Sequence, residues 1–408
     1  MKNNIKNPGY CTITYKNRLM IKDLEYLKLT KNLYNEMILK YYNLLLEHFE
    51  FLNLSNQYCL RELEKLTITD RQGNKPKDYF ELDVPMYFRR AAINQSIGSV
   101  RSYFALLKKY EDDVKEGIKD CTTPTKAKAF DASPLFYKGM YKNFSMNRID
   151  LKLFNGEKWT WYKCKIHGRK FDVESAMSPT VVVKNEYATI NIPVRIEIDD
   201  VKPVKERMKE KDLKILSLSF SNQDSFIICV ILDKKGTFIK SKFIHGGKEY
   251  KFRTKKVLNQ IKKHRNVNSI LQERDHKTYW QKLDRISSDF AHKVSKEILE
   301  FAKENNVKVI SVSEQDELSY ITRKVGKYSP IYLRHKILDY LKYKSFKDSI
   351  LVTKVRSNYT ASRCYKCRGK IKKENTSESI CETGHKSNYY FNTAMNVGLM
   401  GLKKFGNI

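Results

Sequence analysis

Two short cysteine-containing motifs constrain the local structure of this chain more tightly than any other feature. Cys364 and Cys367 are separated by two residues, and after a further thirteen residues Cys381 and His385 are separated by three. Three thiolates and one imidazole at this spacing predict a closed tetrahedral Zn²⁺ site, because soft sulfur ligands select zinc. Four protein ligands leave no position for a catalytic water. We therefore expect a structural zinc knuckle within residues 360–388.

The remaining cysteines predict no further site. The chain has eight cysteines, and their scatter is typical of free thiols in a reducing compartment rather than of a disulfide framework. The pair Cys164 and His167 has no second pair nearby, so we assign it no role as a ligand. The longest apolar stretch, residues 226–232, is too short to cross a bilayer, and the first ten residues contain no apolar signal region. We expect a cytoplasmic protein without a membrane segment.

The charge balance indicates a polyanionic partner. The 408 residues include 78 lysines and arginines against 46 acidic residues, which gives a formal net charge of +32. Such an excess of positive charge is unusual for a metabolic enzyme. An anionic membrane surface is the alternative partner, but the sequence contains no long basic amphipathic helix that would bind one, so nucleic acid is favoured. Hydrophobic residues make up 41% of the chain, which is enough to build a folded core.

Periodicity in the first half predicts a β domain with a helical insertion. Residues 10–15 alternate as in a strand, residues 24–51 carry leucines and tyrosines at helical spacing, and a second helical pattern follows Pro85. Short β runs separated by turn residues occupy residues 144–198. The predicted units are a β-barrel-like domain in two parts, residues 1–22 and 141–200, and a helical domain, residues 23–140.

The second half predicts a mixed α/β domain. Residues 201–212 are a charged connector. Strand patterns then begin at Leu213 and Phe226, a buried helical stripe surrounds Phe290, and another strand pattern follows Asn306. The predicted fold class is therefore α+β multidomain, with an α/β domain at residues 213–408 that carries the zinc knuckle as an insertion.

Several segments together resemble one known family. They are HKVSKEILEFAKENNVKVISVSE from His292, LRHKILDYLKYKSF from Leu333, VRSNYTASRCYKC from Val355 and NTAMNVGLMGL from Asn392. These segments are similar to the RuvC nuclease domain, an RNase H-like fold, of the RNA-guided nuclease TnpB and of the miniature type V CRISPR effectors.

Two N-terminal segments resemble the miniature effectors more than TnpB. They are VPMYFRRAAINQSIGSVRSY from Val84 and SPTVVVKNEYATINIPV from Ser178. The resemblance implies that the β domain is a wedge domain, that the helical insertion is a recognition domain, and that residues 213–408 form a RuvC-like domain.

The resemblance also implies three metal-binding carboxylates that this chain lacks. At the corresponding positions stand Ser219, Ser313 and Tyr390. Mg²⁺ prefers hard anionic oxygens, and hydroxyl groups carry no charge to offset the dehydration of the ion. We therefore expect no catalytic Mg²⁺ and an inactive nuclease site. The alternative is a shifted register that uses neighbouring acids, namely Glu314 or Asp224 and Asp316 in nearby turns.

Basic and aromatic clusters are the candidate contacts to nucleic acid. One lies between residues 87 and 103, and the other, residues 251–265, contains seven basic residues and no acid. The residues predicted to bind nucleic acid are Tyr87, Arg89, Arg90, Asn94, Arg101, Lys251, Arg253, Lys255, Lys256, Lys262, Lys263, Arg265, Arg334 and Arg363. For any single one of them, a solvated surface charge is the competing interpretation.

By this resemblance, we expect a nuclease-dead, RNA-guided protein that binds double-stranded DNA, opens an R-loop and regulates transcription in the bacterial nucleoid. Its partners would be a guide RNA and target DNA, with RNA polymerase or a sigma factor as candidate protein partners. The resemblance leaves open whether one chain or a homodimer occupies each guide. The rival hypotheses are an active Mg²⁺-dependent nuclease with relocated carboxylates and a protein that binds only its RNA.

Overall fold

The computed structural model describes two compact units. The described residues are 9–70, 72–79, 83–117, 121–184, 186–198, 201–221, 223–267, 277–314, 330–356, 358–375 and 377–406. One unit is Thr12–Ile196, and the other contains Glu197–Ile408 together with the start of the first strand. No helix in the described ranges combines the length and the apolar composition that a bilayer crossing requires.

The first unit is built on a six-stranded sheet with the order β2-β3-β4-β1-β6-β5. Its strands are β1 (Gly9–Met20), β2 (Tyr141–Lys142), β3 (Arg148–Phe154), β4 (Trp159–His167), β5 (Thr180–Val183) and β6 (Ala188–Ile198). Strand β4 pairs antiparallel with both β3 and β1. Along β4, Cys164 and Ile166 are buried whereas Lys163 and Lys165 are exposed. This alternation buries one face of the sheet and leaves the other to solvent.

Helices pack against each other in the same unit. They are α1 (Glu25–Glu47), a short 3₁₀ helix (Phe49–Asn53), α2 (Asn56–Thr67) and α3 (Met86–Lys115). Helix α3 begins directly after Pro85, as the sequence predicts. Polar bonds join α1 to α3 within the apolar core: the Tyr34 hydroxyl donates to the carbonyl of Ala91 at 3.2 Å, and Ser96 Oγ donates to that of Ile38 at 2.9 Å.

The second unit contains a five-stranded mixed sheet with the order β11-β10-β7-β8-β9. Its strands are β7 (Lys214–Phe220), β8 (Ile227–Asp233), β9 (Phe238–Ile244), β10 (Val309–Ser313) and β11 (Leu351–Val355). Strands β7, β10 and β11 are parallel to one another, whereas β7, β8 and β9 form an antiparallel meander. The carboxyl ends of β7 and β10 therefore meet at one edge of the sheet.

Both faces of this sheet are covered by helices. They are α4 (Val204–Arg207), α5 (Gly247–Val267), α6 (Lys277–Glu304), α7 (Pro330–Lys347) and α8 (Tyr389–Lys404). Leu216 and Leu218 of β7 pack with α5, α6 and α7, whereas Ile215 packs with α8 on the other face. A strand that is buried on both faces has apolar side chains at nearly every position. This explains the sequence of β8, IICVILD.

A small three-stranded sheet precedes α8. Its strands are β12 (Ile371–Lys373), β13 (Glu378–Cys381) and β14 (Lys386–Asn388), paired antiparallel in that order. The mixed α+β architecture agrees with the predicted fold class. Part of the predicted connector, residues 201–212, forms the short helix α4. The division of the first unit into wedge and helical domains stays a prediction.

Candidate functional site

The first two predicted positions of the nuclease site lie side by side. Ser217 of β7 pairs with Ser311 of β10 in parallel register. Ser219 and Ser313 follow two residues later on each strand, so they point to the same face of the sheet. Neighbouring strands are about 4.8 Å apart, so the two side chains are neighbours. Both lie at the carboxyl ends of their strands.

Helix α8 brings the third position to the same edge. Two glycines let it lie directly on the sheet: a Cβ at Gly398 would be 3.0 Å from Ser217 Oγ, and one at Gly401 would be 2.8 Å from Ser311 Oγ. Gly401 lies near the start of β7 and Gly398 further along it, so α8 runs antiparallel to β7. The N-terminal turn of α8, which contains Tyr390, therefore lies towards the carboxyl edge where Ser219 is found.

The side chains at this edge are hydroxyls, and an ammonium group lies beside Tyr390. Ser219 is 5% exposed, and Ser313 Oγ is buried and has no hydrogen-bond partner among the residues that the structure describes. Lys373 of β12 places its Nζ 5.2 Å from the ring centroid of Tyr390 and 4.6 Å from that of Tyr389. None of the three predicted metal-binding positions presents a carboxylate.

The neighbouring acids have other surroundings. Asp224 lies in the turn between β7 and β8, beside the first residues of α5, where Oδ1 accepts from the Lys248 amide at 3.3 Å and Oδ2 is 3.5 Å from His245 Nδ1. Glu314 is exposed and directly follows Ser313, so strand alternation would direct it away from the face of Ser313. Asp316, the third acid considered, lies outside the described residues.

The predicted zinc ligands converge. Ligand atoms of Cys364, Cys367, Cys381 and His385 all lie within 4.8 Å of one another. The Sγ atoms of Cys367 and Cys381 are 3.7 Å apart, and His385 Nδ1 is 3.4 Å from Cys381 Sγ and 3.9 Å from Cys364 Sγ. A tetrahedral zinc ion with bonds of about 2.0–2.3 Å separates its ligand atoms by about 3.5–3.8 Å. The four side chains could therefore hold one metal ion, and their chemistry fits Zn²⁺.

A hydroxyl next to the ligands favours the thiolate form. The Thr383 hydroxyl donates to Cys367 Sγ at 3.1 Å, and this bond lowers the pKa of the Cys367 thiol to about 7. Zinc binds the thiolate, so a lowered pKa reduces the proton release that binding requires. Thr383 is not among the residues predicted from the sequence.

Two buried asparagines of α8 connect the knuckle to the α/β core. Asn392 accepts from the Tyr365 amide at 2.9 Å and donates to the carbonyl of Arg363. Asn396 donates to the same carbonyl at 2.7 Å and accepts from Arg368 Nη1 at 3.1 Å. Both belong to the segment NTAMN, so the resemblance could have identified them. They fix the first knuckle, Cys364 to Cys367, against α8.

Several residues predicted to bind nucleic acid in the first unit have internal partners. Arg90 binds both carboxylate oxygens of Glu64, at 2.9 and 3.0 Å, and Arg89 lies 3.7 Å from the same carboxylate. Arg101 donates to Asn56 and to the carbonyls of Leu52 and Leu54. These arginines connect α2 and the loop before it to α3, which favours a structural role for them.

The other two predicted contacts of this helix are Asn94, which is half-buried, and Tyr87, which is exposed. Asn94 donates to the Tyr137 hydroxyl at 3.1 Å. Tyr87 is 41% exposed, and its ring lies against Gly139, where a Cβ would be 2.6 Å away. The phenol of Tyr87 is thus available at the surface while its ring is fixed in place.

The predicted basic segment of the second unit forms the outer face of α5. Thr254, Val257 and Ile261 of this helix are buried, so the intervening residues face solvent. The exposed basic residues are Lys251, Arg253, Lys255, Lys256, Lys262 and Lys263. The side chain of Arg265 lies outside the described residues. These residues therefore form an exposed basic cluster on α5, and its contact with nucleic acid stays a prediction.

The last two predicted arginines lie on aromatic rings. The guanidinium carbon of Arg334 is 5.6 Å from the ring centroid of Phe220. The guanidinium carbon of Arg363 is 5.7 Å from the ring centroid of Tyr359. Arg363 also donates to the carbonyl of Arg368 at 3.4 Å. Tyr359 is 69% exposed, so the Arg363 pair is a surface feature of the knuckle.

A basic face of the six-stranded sheet was missed by the sequence analysis. Its basic residues, which share the solvent side of β1 to β4, are Lys16, Arg18, Lys142, Arg148, Lys152, Lys163, Lys165 and His167. Trp161 lies among them, 37% exposed, with Lys142 Nζ 4.5 Å from its ring. The one acid on this face, Asp150, is bound by Arg148 at 3.1 Å. A flat basic surface with an exposed indole can bind phosphates and stack on a base.

Sequence comparisons match only part of the chain. The model of a family described as the Aq_aa04 family matches residues 11–155. No curated protein matches the chain.

Comparison of the fold identifies the architecture. One similar structure is a Cas12f1-sgRNA-target DNA complex, which is 13% identical over 92% of this chain and 81% of that chain, with a TM-score of 0.53. The chain has the fold of a type V effector. A second similar structure with this fold is CasPhi-2 (Cas12j) bound to crRNA, which is 8% identical over 97% of this chain and 98% of that chain, with a TM-score of 0.51. These likenesses confirm the predicted fold of a miniature type V effector.

Proposed function

We propose that this protein binds double-stranded DNA under the direction of a guide RNA and does not cleave it. The observation that carries the proposal is the carboxyl edge of β7 and β10, where Ser219, Ser313 and Tyr390 supply no carboxylate. Catalysis by two metal ions needs anionic ligands that hold both ions beside the scissile phosphate. The neutral hydroxyls of these three side chains do not supply them.

The binding part of the proposal rests on fold and charge. Solved structures with this fold contain a guide RNA, and one of them also contains target DNA. Effectors of this kind read sequence through base pairing, while the protein contacts the nucleic-acid backbone. The net charge of +32 and two separate basic surfaces, the outer face of α5 and the face of β1 to β4, suit that division of work.

In this proposal the protein acts by remaining bound to its DNA target. A bound complex regulates transcription either by blocking RNA polymerase or by recruiting it, for which RNA polymerase itself or a sigma factor is the proposed protein partner.

The proposal is tested by the RNA that co-purifies with the protein. We expect one abundant RNA species, and the purified complex should bind a duplex that matches the variable part of that RNA and leave a scrambled duplex unbound. Enriched RNA without binding to matched DNA would support the rival RNA-only protein. DNA cleavage products that form in Mg²⁺ only with the guide would support the rival hypothesis of an active nuclease.

Removing two lysines from the sheet face should weaken RNA binding. We expect Lys163→Ala with Lys165→Ala to lower affinity for the co-purified RNA about tenfold or more, because each lost phosphate contact removes one released counterion. The slope of log K against log salt concentration should become shallower by about two. Fluorescence anisotropy over a salt series measures both quantities.

The matched control for this pair is Lys108→Ala with Lys109→Ala. Both lysines are exposed on α3, so the double variant makes the same change in net charge away from the sheet face. Equal losses of affinity and slope in the two double variants would show that the sheet face has no special role.

A further inference from the structure

The side chain of Thr383 contacts three of the four predicted zinc ligands. Thr383 lies in the turn between Cys381 and His385. Its Oγ1 is 3.1 Å from Cys367 Sγ, 3.0 Å from Cys381 Sγ and 3.1 Å from His385 Nδ1. Cys367 belongs to the first knuckle, and the other two ligands belong to the second. One hydroxyl group therefore connects the two halves of the ligand set.

The hydroxyl lies on the outer side of these three ligand atoms. The ligand atoms of all four residues lie within 4.8 Å of one another, so Cys364 Sγ occupies one side of the triangle that the other three form. Cys364 Sγ is 3.9 Å from His385 Nδ1. An oxygen about 3 Å from every corner of the triangle would overlap that sulfur if it lay on the same side. Thr383 Oγ1 therefore covers the face of the ligand set that is opposite Cys364.

This face is directed towards solvent. Thr383 is exposed, whereas Cys364 and Cys381 are only 2% and 5% exposed. A chelator or an oxidant can reach an ion held by four ligands only through a face of the tetrahedron, where the coordination number can rise to five. Thr383 therefore stands between solvent and the ligand atoms at the face where such a reagent arrives.

The local backbone holds the hydroxyl in this position. Gly384 has a φ of +85°, which glycine adopts without steric cost. Its amide donates to the carbonyl of Cys381 at 2.9 Å, and the Cys381 amide donates to the carbonyl of His385 at 3.1 Å. Threonine is β-branched and has few χ1 rotamers. The tight turn and the stiff side chain together fix the direction of the hydroxyl.

We propose that Thr383 is a positioning residue that slows the loss of zinc from the knuckle. The three thiolates outweigh the charge of one Zn²⁺, so the loaded site is anionic, and a hydrogen bond to an ionised acceptor is about twice as strong as a neutral one. The Thr383 hydroxyl stabilises the sulfurs of Cys367 and Cys381 and shields the face between them. This inference depends on the four zinc ligands and is independent of guide or DNA binding.

The first test measures how fast EDTA removes zinc from the purified full-length protein. In this reaction Zn²⁺ passes to the chelator, and the thiolates take up protons from water. Thr383→Val keeps the shape of the side chain and removes the hydroxyl, so we expect release about tenfold faster, within the range found for outer partners of metal ligands. Thr383→Ser keeps the donor and should stay within about threefold of the unchanged protein.

The second test follows the sulfur ligands directly. With Co²⁺ in place of Zn²⁺, the thiolate-to-cobalt absorption band should move to lower energy in Thr383→Val, because a sulfur without its hydrogen bond gives up an electron more readily. Thr383→Ser should restore the band. The matched control is Thr393→Val on α8, where the lost hydroxyl donates to the Tyr389 carbonyl at 2.9 Å and contacts no ligand. The control should change neither the release rate nor the spectrum.

The outcomes separate this inference from the proposed function. Equal release rates in Thr383→Val and the unchanged protein would overturn it, and so would equal acceleration in Thr383→Val and Thr383→Ser or in Thr383→Val and Thr393→Val. Purified protein without zinc would overturn it together with the assigned ligands. Failure to bind guide RNA or matched DNA would count against the proposed function alone.

Discussion

Cys381→Ser is expected to abolish stable zinc binding. Cys381 is 5% exposed, and its Sγ is 3.7 Å from Cys367 Sγ and 3.4 Å from His385 Nδ1, so no other side chain can take its position without moving the strand. Loss of one thiolate leaves three ligands, and structural zinc sites need all four. Elemental analysis of the purified protein should fall from about one zinc ion per chain towards zero.

The variant should also lose part of its fold. Strands β12 to β14 contain only ten residues in total, and a segment this small depends on its metal ion rather than on an apolar core. We expect a lower melting temperature of the second unit and weaker binding of matched DNA, because the knuckle contacts α8 through Asn392 and Asn396.

Cys164→Ala provides the control for zinc. Cys164 lies buried in β4 and forms the local pair with His167 to which no ligand role is assigned. Its replacement should leave one zinc ion per chain. Zinc content that survives in Cys381→Ser, or that falls in Cys164→Ala, would show that the ligands are assigned wrongly.

Local patterns in the sequence were sufficient to predict the cluster of Cys364, Cys367, Cys381 and His385 and most of the strands. The four ligands lie within 22 residues, so their spacing alone places them together. Strand β7 was aligned by its resemblance to the RuvC domain, and the strand period of two puts Ser217 and Ser219 on one face. Features that depend on a period of two or on ligand spacing are therefore visible before the structure is known.

Features that depend on pairing between distant segments were not visible. The basic face joins Arg18 of β1, Arg148 of β3 and Lys165 of β4, which come together only through the register Arg18↔His167 and Arg148↔Lys165. Periodicity also placed Arg90 on an outer face of α3 without showing that Glu64 of α2 lies there to bind it. The sequence shows which way a side chain points along its own element, but not what faces it.

The guide-loaded protein is expected to leave a matched duplex intact in Mg²⁺ over hours. At the carboxyl edge of β7 and β10, the side chains of Ser219, Ser313 and Tyr390 offer no negative charge. Mg²⁺ dehydrates reluctantly and needs carboxylate ligands to do so, so we expect neither ion capture nor a metal-activated water at this edge. Gel analysis of end-labelled DNA after prolonged incubation checks this. Cleavage that depends on the guide would overturn the assignment of an inactive site.

Restoring the three carboxylates should restore cation binding even if it does not restore cleavage. The variant Ser219→Asp with Ser313→Glu and Tyr390→Asp places three negative charges at one edge, where their mutual repulsion is relieved only by a cation. We expect calorimetric titration to detect binding of Mn²⁺ that the unchanged protein lacks. The amide variant Ser219→Asn, Ser313→Gln, Tyr390→Asn has the same shape without the charge and should bind none. If the acidic and amide variants behave alike, the three side chains do not converge, because separated carboxylates would not share an ion.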